Sequence, residues 1–176
     1  QLFFSTVVSI AIFTSEWWQN SSTELNDSRT PSIRALTVWT AIAVFLQLIM
    51  GAAFRHKAFG IIPHLIGAVI VTILIFMTAG ALKRRFGGVG PLRTCAKLLH
   101  ILIGAQLLLG GAAWWSRVYS AQFPQPIPVM VALTVIHTVT GALVLATTLI
   151  TTLVSYRLIR AGAAVTDSSR ASEQVA

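Results

Sequence analysis

Apolar residues along this chain fall into five long runs, set apart by short clusters of charge, glycine and proline. The runs cover residues 1–18, 33–54, 62–82, 94–115 and 129–156. A helix needs ~20 residues to cross the hydrocarbon core of a bilayer, so the last four runs predict spanning helices. The first starts at Gln1 with neither the basic start nor the small-residue cleavage site of a signal peptide. It reads as the tail of a preceding transmembrane helix, and the chain as a piece of a longer protein. The pattern divides the chain into that tail (1–18), a polar linker (19–32), a four-helix bundle (33–160) and a small, polar, disordered tail (161–176).

Composition agrees with a membrane protein. Apolar residues make up 55% of the 176 and charged residues only 10%, with a mean hydropathy of +0.77. Soluble domains carry about 25% charged residues. The formal charge of +8 does not point to nucleic acid, because the basic residues flank apolar spans instead of lining an amphipathic surface. Lys83, Arg84, Arg85, Arg93 and Lys97 cluster between the second and third full spans, Arg157 and Arg160 follow the last, and Arg29 and Arg34 flank the linker's end. By the positive-inside rule these regions, with the C-terminus, are expected on the cytoplasmic side. Arg55, Lys57 and Arg117 are expected on the other. Trp17, Trp18, Trp114 and Trp115 fall at span ends as interfacial anchors. The loop 116–128 contains Pro124, Pro126 and Pro128, which predicts an extended, stiff connection. The single cysteine, Cys95, excludes a disulfide within the chain.

An internal repeat sharpens the fold. Gln47-Leu48-Ile49-Met50-Gly51-Ala52-Ala53 returns as Gln106-Leu107-Leu108-Leu109-Gly110-Gly111-Ala112-Ala113. In the helix after each copy, Pro63-His64-Leu65-Ile66-Gly67-Ala68 is answered by Ile136-His137-Thr138-Val139-Thr140-Gly141-Ala142. Two versions of one helical hairpin predict an all-α, antiparallel four-helix transmembrane bundle with an additional N-terminal helix.

The candidate chemistry lies in the repeat. An imidazole in hydrocarbon is costly and seldom left without a partner. Two of them on alternate helices are what a bis-histidine haem needs, so His64 and His137 are the candidate axial ligands of a haem b. Taken singly, His64 reads equally as an interfacial histidine. His137 lies ~13 Å into its run, where an interfacial role is less easy and a ligand is the favoured reading. Gly67 and Gly141 stand one turn further in on the same faces and are expected to leave room for the ring. Gln47 and Gln106 either bond across the bundle or touch the cofactor edge. Arg55, at the outer mouth, either clamps haem propionates or snorkels to headgroups. His100 lies ~10 Å along the membrane normal from His137, which makes it a poor co-ligand. His56 reads as a loop histidine. Glu16, Glu24, Asp27, Asp167 and Glu173 all fall outside the four full spans. No intramembrane carboxylate, His-Glu zinc motif or phosphate loop supports catalysis within this segment.

Gln47 to His56, with its Gln…Gly-Ala…Arg-His pattern, together with the two histidine-Gly-Ala helices, resembles the heme A synthases of bacteria and mitochondria. The resemblance covers residues 36–160. It implies an eight-helix parent of two similar four-helix bundles, one handling a substrate haem and the other holding haem b through two histidines. Its activity would be oxidation of the C8 methyl of heme O to a formyl group, for cytochrome oxidase assembly. The segment is similar to the second bundle, preceded by the last helix of the first, and His64 and His137 match that bundle's ligands. Implied partners are heme O, the lipid bilayer (a bacterial inner membrane) and other membrane subunits or further copies of the chain. The family's catalytic glutamate has no match here, Lys57-Ala58 replaces the usual Thr-Gly, and the outer-loop cysteine pair is absent. Two other readings stay open: a cytochrome b-type electron-transfer subunit, and a haem-free structural membrane subunit.

Overall fold

Local chemistry sets the ends of the helices before packing does. The computed structural model describes residues 2–21 and 25–161. Its elements are α1 (Leu2–Phe13), α2 (Glu16–Asn20), β1 (Leu25–Asp27), α3 (Ile33–Arg55), α4 (Ile61–Phe86), α5 (Gly90–Tyr119), a single 3-10 turn (Ser120–Gln122), α6 (Pro128–Leu158) and β2 (Ile159–Ala161). Ser32 starts α3 by accepting a hydrogen bond from the Ala35 amide at 3.2 Å. Proline opens both α5 and α6, where its missing N–H costs nothing. The four long helices are each apolar and long enough to cross a membrane, and each agrees with its predicted run to within about a turn.

These four helices close a ring: α3 packs on α4, α4 on α5, α5 on α6, and α6 back on α3. The result is the all-α bundle of two hairpins that the repeat predicts. The connections leave two unlike ends. One, the strand end, gathers the start of α3, the α4–α5 turn and the end of α6. The other, the mouth, gathers the α3–α4 turn and the α5–α6 loop.

Three expectations change at the periphery. The first run is not one helix: it breaks at Thr14–Ser15, where the Ser15 hydroxyl accepts from the Trp18 amide and starts α2. α1 packs beside α6. The linker is not merely polar, since β1 pairs in parallel with β2 just past the bundle, Leu25 opposite Ile159. Residues 162–176 of the expected tail lie outside the described residues. The proline loop is not extended either, because Gln125 folds back to donate to the Ser120 carbonyl.

Arginines stitch the strand end together. Asp27 is buried and accepts from the Ile33 amide (2.6 Å) and from Arg85 Nη1 (3.1 and 3.2 Å), while Arg85 also donates to the Pro31 carbonyl (3.0 Å). Arg34 donates to the Tyr156 carbonyl at 3.0 Å and lies over the Tyr156 ring, and Arg157 lies over Trp18. Read as topology signals, these cations turn out to hold the linker and the chain ends onto the bundle.

The core fills only half of the bundle. On α3 the buried residues stop at Val44, on α4 they begin at Val71, on α5 they stop at Ile103, and on α6 they begin at Thr140. The strand half is close-packed around Ile33, Ile75, Leu82, Leu92 and Leu99. Threonines fit among them because their hydroxyls return to carbonyls of their own helix (Thr148 to Leu145, Thr151 to Thr147) or pair across helices, as Thr40 does with Thr78 at 2.7 Å. In the mouth half of the same four helices, no residue is fully buried.

Candidate functional site

The level where burial stops is the level of the two histidines and two glutamines. Gln47 and Gln106 stand on α3 and α5, His64 and His137 on α4 and α6. Gln47 Nε2 lies 3.0 Å from His64 Nδ1 and donates to the His64 carbonyl at 2.8 Å. In the second hairpin, Gln106 Nε2 lies 3.5 Å from His137 Nε2. Each glutamine thus reaches the histidine of its own hairpin partner, as the repeat requires.

Glycines make the close approach possible. A Cβ on Gly51 would stand 3.0 Å from His64 Cε1, and one on Gly110 would stand 2.9 Å from His137 Cε1. Each ring therefore rests on the bare backbone of the neighbouring helix. Gly51 and Gly110 lie one turn beyond Gln47 and Gln106 in the same repeated motif. That i, i+4 spacing from the glutamine was the available signal that they face the same neighbour. Beside Gly67 and Gly141 the space holds the Gln47 or Gln106 amide. They seat the glutamines.

The unequal depths of the histidines also resolve. His64 comes about one turn into α4, and His137 about two and a half turns into α6. Gln47 stands about two turns before the end of α3, Gln106 about three and a half before the end of α5. Both helices of the second hairpin overrun the first by ~8 Å at the mouth, so the four residues share one level.

The polar atoms here are incompletely used. Gln47 Oε1, Gln106 Oε1 and His137 Nδ1 are buried with no hydrogen-bond partner among the described residues. Below them a cavity of about 40 Å³ is lined by Val44, Gln47, Leu48, Val71, Ile103 and Gln106, together with Gly141 and Val144. It forms the floor of the site and is of water size. Buried polar atoms without partners are rare in native proteins, and here two flank the imidazoles and a third belongs to one of them.

The other candidates stand apart. His100 Nδ1 donates to the Ala96 carbonyl of its own helix (2.8 Å), and the ring packs edge-on against Phe76. His56 caps α3 and is exposed. Arg55 is exposed at the end of α3, two turns beyond Gln47 on the same helix, and nearby Arg117 covers the Phe54 ring at 5.2 Å. Among the described residues no group of three or more His, Cys, Asp or Glu could hold a bare metal ion. No known protein family, no curated protein and no solved structure matches the chain.

Proposed function

We propose that this chain is the haem b-holding half of a heme A synthase-like membrane oxidoreductase, with His64 and His137 as the two axial ligands. The observation that carries the reading is the half-filled bundle. Close packing ends at one level, and that level presents two glycine-seated imidazoles from alternate helices with unpaired polar atoms around them. Small inward residues in the mouth half, such as Gly51, Ala53, Ala68, Gly110 and Ala112, are half-buried and suit the edge of a flat ring. Arg55, exposed at the mouth, suits a propionate clamp.

A haem held by two histidines supplies one-electron transfer. The residues of this chain bind it, fix the ring planes through Gly51 and Gly110, and close off its inner side with the packed strand half. In the parent, oxidation of the heme O methyl belongs to another bundle that supplies the acid. The bilayer would be a bacterial inner membrane with the strand end and the C-terminus on the cytoplasmic side, as the basic residues there favour.

One observation favours a haem-free structural subunit instead: Gln47 already bonds His64 at two points, which is how a histidine that only pairs helices is satisfied. A reduced-minus-oxidised spectrum of the purified chain separates the two. A low-spin haem b spectrum is expected, lost or turned high-spin in His64→Ala and in His137→Ala but kept in His100→Ala. Loss in His100→Ala with retention in His64→Ala would end the ligand assignment. No haem at all would leave the structural reading.

A further inference from the structure

Each histidine at the site is contacted by a glutamine amide, the one neutral side-chain group that offers a donor pair and an acceptor on the same short arm. As the residues lie, the Gln47 NH2 donates to His64 Nδ1, which makes Nδ1 the bare nitrogen of the neutral ring and leaves the proton on Nε2. Gln47 Oε1, on the other side of the same amide, is buried without a partner among the described residues. The repeat-related pair meets the other ring nitrogen: Gln106 Nε2 lies 3.5 Å from His137 Nε2, His137 Nδ1 is left without a partner, and Gln106 Oε1 is likewise unpaired among the described residues. A buried carbonyl without a partner is costly, and this chain carries that cost twice at equivalent positions.

From this we infer that Gln47 sets which nitrogen of His64 carries the ring proton, and that it does so as a two-position amide, with Gln106 the equivalent residue for His137. This rests on the haem reading above for its second position. With the ring free, the NH2 donates and the proton stays on the far nitrogen. A nitrogen that binds iron must be bare, so His64 holding a haem through that far nitrogen would carry its proton on Nδ1, with the ring neutral in either case. The amide then has to offer an acceptor, and a half-turn about its terminal bond presents Oε1.

The geometry also says which position is favoured without a metal. In the donating position Gln47 gains a second bond, at 2.8 Å, to the His64 carbonyl, and rotation gives it up. The accepting position therefore needs a stronger partner, which a metal-polarised N–H provides. Gln106 has no such backbone bond and sits at 3.5 Å, so its hold on His137 is the looser of the two. Glutamate at either position only accepts when ionised, and leucine does neither. Gln47 and Gln106 are positioning residues in this scheme, acting on iron only through the imidazoles.

The test uses the full chain in detergent, labelled with 15N-histidine, in wild type, Gln47→Glu and Gln47→Leu. In haem-free protein, imidazole 15N shifts should report the proton on Nε2 of His64 in wild type and on Nδ1 in Gln47→Glu. In haem-loaded protein, Gln47→Glu should keep the low-spin spectrum and lower the midpoint potential, because an ionic acceptor makes the ligand more basic. Gln47→Leu should hold haem about 10-fold more weakly. The same proton position in all three proteins, with unchanged potential, would overturn the inference. A chain that takes up no haem but still moves the proton in Gln47→Glu would sink the functional reading while leaving Gln47 as the residue that sets the His64 proton. Should Gln47→Glu not fold, Gln106→Glu makes the comparison at His137 with the ring nitrogens exchanged, the proton moving from Nδ1 to Nε2.

Discussion

Gly110 carries a hydrogen where any other residue would carry a carbon 2.9 Å from His137 Cε1. An alanine there pushes against a ring that is itself confined by Gln106, so the two effects of the substitution oppose each other. Helix propensity favours alanine over glycine by about 1 kcal/mol, while the contact displaces the imidazole. Gly104, on the same helix, has nothing within 4 Å of a built Cβ and isolates the first effect. Gly104→Ala should therefore raise the melting temperature of the purified protein and, on the haem reading proposed above, leave the haem spectrum unchanged. Gly110→Ala should gain little or no stability and lose or distort the low-spin signal, and equal behaviour of the two variants would show that the glycine is not a seat for the ring. The distinction between Gly51 and Gly67 is of the same kind. Both lie among small residues in the sequence, but only the packed structure shows that one faces an imidazole and the other an amide.

At the scale of elements, the ends of the helices carry the most local information. α3 closes with a full Schellman arrangement: the Ala58 amide bonds the Ala53 carbonyl (2.9 Å) and the Lys57 amide bonds the Phe54 carbonyl (3.1 Å). Lys57 holds the left-handed conformation this needs, with φ of 60°, at a position where glycine is the usual residue. Left-handed backbone costs an L-residue about 1–2 kcal/mol, so Lys57→Gly should stabilise the protein by about 1 kcal/mol in thermal or denaturant unfolding. A stability loss would show that the lysine side chain contributes more than its backbone costs. The opposite end depends on Asp27, whose side chain is only 3% exposed and whose Arg85 partner is 14% exposed. Removing one member of a buried pair leaves the other uncompensated, at about 3–5 kcal/mol. Arg85→Ala and Asp27→Ala should each destabilise by roughly 3 kcal/mol, and the double variant by clearly less than the sum, because the uncompensated charge disappears. Additive losses would mean that the two residues act separately.

For the whole molecule, the ring of α3 to α6 puts the α4–α5 turn and the α5–α6 loop at opposite ends. Single cysteines at Arg93 and Arg117 should accordingly label from opposite sides of intact membranes, with the Arg93 side cytoplasmic. Cys95 is buried and should add little background. Labelling of both from one side would remove the transmembrane arrangement, and the reverse order would remove only its orientation. The two ends also differ in what they bury: the strand end is stitched and close-packed, the mouth half is not. A ligand that fills the mouth half therefore adds most of its stabilisation there, which predicts a higher melting temperature for haem-loaded than for haem-free protein.

Much of this was decided along the chain itself. Runs of some twenty apolar residues leave a backbone no way to satisfy its hydrogen bonds in lipid except within its own helix, so the number and extent of the four long helices follow from hydropathy alone. The hairpin repeat likewise places Gln47, His64, Gln106 and His137 in matched positions before any packing is known. What the chain does not determine locally is everything that depends on which faces meet. The pairing of each glutamine with a histidine, the glycine seats at 51 and 110, the use of Arg34, Arg85 and Arg157 as stitches, and the β1–β2 pair each join residues far apart in sequence. Their partners are chosen by helix rotation and by the ~8 Å overrun of the second hairpin. Hydropathy and local propensity carry no record of either quantity. They are set when the strand half packs, because interlocking Leu, Ile and Thr side chains admit one rotation of each helix and so fix what the mouth half presents.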